Sequence, residues 1–299
     1  ITCAKLGEAE VMAGGGIFNI LIANQVVGDR KVARLVNLRR HADVIVAVDS
    51  MINVNALDQA ALAKGVTLGV VIEVNTGMKR AGLEPGEDAL SLAKKIASRP
   101  GLRFEGLMTW ESTALKIQDP EEKRQVVQVA LKRLVDTAQL CREAGIPVNI
   151  ISCGGTGTFW LSAFAPGITE IQAGGGILGD VNYRKNFGVK LPHALTVLST
   201  VTSRPTPNRI IFDAGRKTMS AETASPEPVG MPEVSKIWLS AEHGAIEMMA
   251  PHSEPGVGDK IELIPGYSDV TVALHDELYG IRNGVVETVF PLLGRGRLQ

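Results

Sequence analysis

Apolar residues in the first part of the chain fall into two alternating patterns. Short, nearly continuous runs occur at Ile1–Ala4, Ile20–Asn24, Val44–Asp49, Leu68–Val74, Phe104–Trp110, Val148–Cys153 and Thr169–Ala173. Runs of that length predict strands buried on both faces. Between them, Asp29–His41, Ile52–Lys64, Glu87–Ser98 and Pro120–Ala144 space their apolar residues three and four positions apart, which predicts amphipathic helices. The last opens Asp119-Pro120-Glu121-Glu122: an N-cap, a proline at the first helical position and acids in the first turn. Strand and helix repeated in this order predict a parallel sheet with crossover helices.

Seven strands are predicted. An open doubly wound sheet accommodates seven, whereas a (β/α)8 barrel needs eight. Two features favour the barrel. Polar residues or glycines stand at the C-terminal end of nearly every strand (Lys5, Asn24, Asp49–Ser50, Asn75, Glu111, Gly154–Gly155, Gly174–Gly176), which is the face where barrel active sites lie. The best phosphate loop follows the sixth strand, while barrel phosphate sites follow strands seven and eight. The chain also opens on Ile1, without methionine, inside what reads as a buried strand. The expectation is an α/β chain whose (β/α)8 barrel lacks its first βα unit and supplies strands two to eight.

After Gly188 the pattern changes. Leu195–Ser203, Arg209–Asp213, Val234–Ser240, Ala245–Met249, Lys260–Ile264 and Val285–Phe290 read as strands separated by turns rich in Pro, Gly and Asn. This predicts a second, mainly antiparallel β domain. The boundary is placed near Leu191-Pro192-His193, giving domains 1–193 and 194–299.

With 299 residues, 45% hydrophobic, the chain can bury two cores. A net charge of -1 gives no electrostatic case for nucleic acid or an anionic membrane. The basic clusters Arg30–Arg40 and Lys123–Arg133 fall in helical patterns and read as solvated faces. Three cysteines, Cys3, Cys141 and Cys153, favour a reducing compartment, hence the cytoplasm. No apolar run reaches the ~18 residues a membrane-spanning helix needs.

Candidate chemistry sits in the loops. Ser152-Cys153-Gly154-Gly155-Thr156-Gly157-Thr158 leaves a strand and enters a helical segment, so its amides and hydroxyls could cradle a phosphate. A tight glycine turn is the alternative. Ala173-Gly174-Gly175-Gly176 could add amides to the same phosphate. In Glu73–Gly82, Arg80 could meet an anionic oxygen or be a surface arginine. Lys217 could be a Schiff-base lysine, but a structural or interface role is the better reading, and Lys5, at a strand's C-terminal end, is placed for an imine or for an ion pair with the acidic helix start that follows. His41, His193, His243, His252 and His275 show no metal-binding spacing. Gly266-Tyr267-Ser268-Asp269 with His275-Asp276 is either a weak metal site or ordinary loop hydrogen bonding.

Several segments, in this order, resemble one family: Ile1–Glu10, Ala47-Val48-Asp49-Ser50, Asn75–Gly82, Ser152–Thr158, Pro166–Gly174, Asp213-Ala214-Gly215 and Pro265–Asp269. They resemble the D-threonine aldolase and D-serine dehydratase enzymes, pyridoxal 5′-phosphate (PLP) proteins related to alanine racemase. The resemblance implies a PLP lyase acting on D-β-hydroxy amino acids. Retro-aldol cleavage to glycine and an aldehyde comes first, and dehydration of D-serine or D-3-hydroxyaspartate second. A non-catalytic PLP-binding protein or an inactive fragment is a further alternative. It implies a homodimer. Arg80, Gly155, Thr156, Gly157, Gly174, Gly175 and Asn24 form the cofactor-binding set. The family's cofactor lysine is expected upstream of Ile1, and neither Lys5 nor Lys217 matches it. The family's metal site uses a His-Cys-Asp run. Here that run reads Tyr267-Ser268-Asp269, which leaves Asp269 and His275 as candidate ligands for Mn, Mg or Zn and gives Tyr267 a candidate catalytic role.

Overall fold

The computed structural model describes residues 1–299, in two compact units: Ile1–Ala173 with Gly296–Gln299, and Gly174–Arg295.

The first unit alternates strand and helix throughout: β1 (Thr2–Cys3), α1 (Leu6–Gly14), β2 (Asn19–Gln25), α2 (Asp29–Leu38), β3 (Asp43–Val48), α3 (Met51–Ala63), β4 (Leu68–Glu73), α4 (Glu87–Ala97), β5 (Leu102–Met108), α5 (Pro120–Glu143), β6 (Ile150–Cys153), α6 (Phe159–Ser162) and β7 (Glu170–Ile171). The strands form one parallel sheet in sequence order, with β1 and β7 at its edges. Both faces are buried, as the continuous apolar runs require. Ile22, Val46, Val70, Ile72, Leu107 and Ile151 pack under the helices, while Leu21, Ile45, Ala47, Val71 and Met108 form a separate inner cluster. At Gly106 (φ 155°) a Cβ would lie 1.8 Å from the Ile150 carbonyl oxygen, so the backbones of β5 and β6 meet where no side chain fits. The β4–β5 register shifts at this point. The expected cap of α5 forms, with the Asp119 carboxylate accepting from the Glu122 amide at 2.8 Å.

Glu8 Oε2 accepts from the Ala4 and Lys5 amides at 2.8 and 2.9 Å, so this carboxylate caps α1. The last four residues belong to the same unit. Gly7 donates to the Gln299 carbonyl at 3.0 Å, and a Cβ on Gly7 would lie 2.8 Å from that oxygen.

The second unit contains β8 (Val197–Thr206), β9 (Arg209–Phe212), β10 (Glu227–Pro228), β11 (Val234–Leu239), β12 (Gly244–Met248), β13 (Lys260–Ile264), α7 (Ser268–Val272), β14 (Glu277–Arg282) and β15 (Val285–Pro291). A six-stranded antiparallel sheet runs β10-β13-β8-β9-β12-β11, and β14–β15 form a separate hairpin. Its core is Val197, Val201, Ile210, Phe212, Ile246 and Leu263. The expected strands are present. β10, β14 and α7 had no sequence signal: β10 has two residues, and in β14 no face is fully buried to impose an alternation. No helix is long and apolar enough to cross a membrane.

Candidate active site

At the C-terminal ends of β2, β3 and β4, three polar side chains interlock. Gln25 Nε2 donates to Glu73 Oε2 at 2.7 Å and to Asp49 Oδ2 at 3.2 Å. Asp49 also accepts from the Gly82 amide at 3.1 Å, which ties the 75–82 loop to the sheet. Asn75 shapes that loop from within: its Oδ1 accepts from the Lys79 amide at 2.9 Å. Arg80 projects from the loop. It pairs with Glu73 Oε1 at 3.6 Å, and its guanidinium carbon lies 5.6 Å from the centre of the Trp110 ring. The side chain is still 54% exposed, so most of its donors face outward. Asn24 turns back on its own backbone, accepting from the Gln25 amide at 3.0 Å, and it is Gln25 that enters the network.

The glycine loop lies next to Trp110. A Cβ on Gly155 would lie 3.0 Å from the indole nitrogen, and Gly154 has φ 77°. Beneath the loop stands Glu111, a carboxylate only 1% exposed. It accepts from the Gly154 amide (3.1 Å), the Thr158 hydroxyl (2.7 Å) and the Ser162 hydroxyl (2.5 Å). Thr158 therefore spends its hydroxyl on Glu111. Thr156 is buried in the same turn. The Thr158 and Phe159 amides both close on the Gly155 carbonyl, at 3.0 and 2.9 Å. The amide of Gly157, a buried residue, donates to no acceptor in the chain. A buried N–H left open this way fits an anion. The helix expected after the loop, α6, is a single turn, so backbone amides rather than a long helix's end supply the field. Burial first, then Glu111 and Glu170, push the Cys153 thiol far above its ordinary range, so it stays neutral.

The second unit holds the remaining candidates. The Gly174 and Gly175 amides, at the start of a 3-10 turn, donate to no acceptor. A Cβ on Gly175 would lie 2.4 Å from the Tyr183 hydroxyl oxygen, so the aromatic side chain packs on bare backbone. Asp180, buried, organises the Tyr267 turn: it accepts from the Ser268 amide (2.7 Å), the Ser268 hydroxyl (2.9 Å) and the Tyr183 amide (2.7 Å). The Asp269 charge acts on the Tyr267 phenol. Burial first, then the Asp269 and Asp180 charges, hold this phenol well above its ordinary range, so it remains protonated. His275 Nε2 lies 2.7 Å from the Thr218 carbonyl oxygen. A carbonyl only accepts, so Nε2 carries the proton and cannot ligate a metal. Lys217 pairs with Glu242 on the surface.

Sequence reasoning missed Gln25, Trp110 and Asp180, and named Glu111 only as a polar strand end. Each is a single residue without a motif. Only its place at a strand's C-terminal end, or three residues before Tyr183, could have marked it.

Comparison with known proteins gives these sites a family. The family described as "Alanine racemase, N-terminal domain" matches residues 1–182, and "Putative serine dehydratase domain" matches residues 194–281. A D-threonine aldolase from Arthrobacter sp is 35% identical over 99% of this chain and 79% of its own length. The chain belongs to the D-threonine aldolase and serine dehydratase family. That PLP-dependent family also includes a 3-hydroxy-D-aspartate aldolase of Paracoccus denitrificans, 31% identical over 99% of this chain and 79% of the relative. The crystal structure of D-threonine aldolase from Filomicrobium marinum superposes with a TM-score of 0.95 at 32% identity, covering 99% of this chain and 82% of that one. The parallel sheet with its antiparallel companion is thus the alanine racemase-like fold of this family.

Proposed function

We propose that this family member is a PLP-dependent lyase that cleaves D-β-hydroxy amino acids to glycine and an aldehyde. The observation that carries the cofactor reading is the open amide of buried Gly157, in a glycine loop at the C-terminal ends of the strands. The aldolase reading draws on three relatives, all aldolases, that align over 99% of the chain. PLP, when bound, acts as the electron sink for bond breaking at Cα.

The chain's own residues have distinct tasks. Gly155, Thr156 and Gly157 would hold the cofactor's phosphate, and the open Gly174 and Gly175 amides are the second unit's candidate anion donors. Arg80 presents its guanidinium to an anionic oxygen of the cofactor. Glu73 and Trp110 hold that guanidinium at a fixed orientation, so less freedom is lost on binding. In the second unit Tyr267, a neutral phenol beside the Asp269 charge, is the proposed catalytic residue, a hydrogen-bond donor suited to a substrate hydroxyl.

The donors of the second unit do not fit a divalent cation. Ser268 donates to Asp180 and His275 Nε2 to the Thr218 carbonyl, which leaves the Asp269 carboxylate and His275 Nδ1 as donors, and no three His, Cys, Asp or Glu side chains are gathered there. Buried, unpaired Cys3, Cys141 and Cys153 support a cytoplasmic setting, and the family resemblance supports a homodimer.

Dehydration is the second reading, favoured by the match of residues 194–281 to the serine dehydratase family. The deciding experiment incubates the holoenzyme separately with D-threonine, D-3-hydroxyaspartate and D-serine. Glycine and an aldehyde from the first two support the proposal. Ammonia and a keto acid in their place establish the second reading, and racemisation alone overturns both.

A further inference from the structure

We infer that Glu111 is a positioning residue for phosphate recognition, fastening the glycine loop from below so that the Gly157 amide is left to the anion. The inference rests on the cofactor reading above. Glu111 is 1% exposed. A carboxylate in that position is costly unless hydrogen bonds satisfy it. All of its donors come from one segment, Gly154 to Ser162: one backbone amide and two hydroxyls. The contacts span the loop from its first glycine to the end of the one-turn helix α6.

That arrangement decides which donors remain for a ligand. Glu111 takes the Gly154 amide and the Thr158 hydroxyl, and the Gly155 carbonyl takes the Thr158 and Phe159 amides. The Gly157 amide is open only while this pattern holds. Without the carboxylate, the Gly154 amide and the Thr158 hydroxyl lose their acceptor and the Ser162 hydroxyl keeps only its 3.4 Å contact with the Thr158 carbonyl. The order of the loop before binding is then lost, and anion affinity falls with it. Glu111 touches no ligand itself.

The test compares two ligands that differ by the phosphate, pyridoxine 5′-phosphate and pyridoxine, by isothermal titration. The wild-type chain should prefer the phosphorylated ligand. Glu111→Ala should weaken pyridoxine 5′-phosphate by about tenfold or more, the worth of one or two hydrogen bonds to a charged group, and leave pyridoxine unchanged. Glu111→Gln, whose amide oxygen still accepts from Gly154, should recover most of the loss. If Glu111→Ala fails to fold, Ser162→Ala removes one contact alone and should show a smaller loss confined to the phosphorylated ligand. Equal weakening of both ligands, or of neither, overturns the inference. A wild-type chain with no preference for the phosphorylated ligand overturns the cofactor reading itself.

Discussion

Single residues at the glycine loop carry constraints that can be measured one at a time. Gly154 sits at φ 77°, and a Cβ there would lie 3.2 Å from the Ile171 side chain. Gly154→Ala should therefore cost about 1–2 kcal/mol, read as a lower urea midpoint with unchanged slope. An unchanged midpoint would show that the loop relaxes freely. Tyr267→Phe removes the phenol's hydroxyl. It should lower kcat for D-threonine cleavage about 10²-fold while leaving cofactor affinity in place; full activity would remove Tyr267 from the mechanism. Cys153 gives a pH prediction. Its folded pKa is raised above the ordinary 9.0 by burial, so the neutral thiol's contribution is complete below that pH and is lost as pH rises through it. Stability should fall above about pH 9 more steeply in wild type than in Cys153→Ala, as followed by thermal unfolding across pH.

At the scale of elements, legibility in the sequence followed burial. The strands of the parallel sheet bury both faces, and their apolar runs show it directly: Val70–Ile72 and Val44–Val48 leave no other reading. α5 announced itself through Asp119-Pro120. Asp119→Ala should cost about 1 kcal/mol and lower the Tm by a few degrees, since it removes the Glu122 amide's acceptor. Edge elements were not legible. β14 has no fully buried face, and β10 is held by pairing with β13, which no local pattern encodes. The site divides the same way. The glycine loop and Arg80 stand in motifs, whereas Gln25, Trp110 and Asp180 act through partners distant in sequence, 24 to 88 residues away for Gln25–Asp49 and Asp180–Ser268. Local pattern contains no information about such pairs.

Over the whole molecule, the two units bring different chemistry. The first offers an anion cradle and a held guanidinium, and the second a neutral phenol with few metal donors. Titration with Mn²⁺, followed by the loss of its free-ion paramagnetic signal, should show no stoichiometric site. One tightly bound ion, abolished by Asp269→Asn, would place a metal on Asp269 and overturn this reading. Light scattering at twice the chain mass would support the homodimer.

Trp110 lies between the Arg80 guanidinium and the Gly155 backbone, and the chain's other indoles, Trp160 and Trp238, each have a lysine over the ring. Its near-ultraviolet emission overlaps the absorption band of a bound pyridoxal ring, so energy passes from one to the other when both are present. The molecule thus carries its own optical gauge of occupancy. Trp110→Phe should silence most of that quenching without an added label, and the same substitution would release Arg80 from its aromatic support.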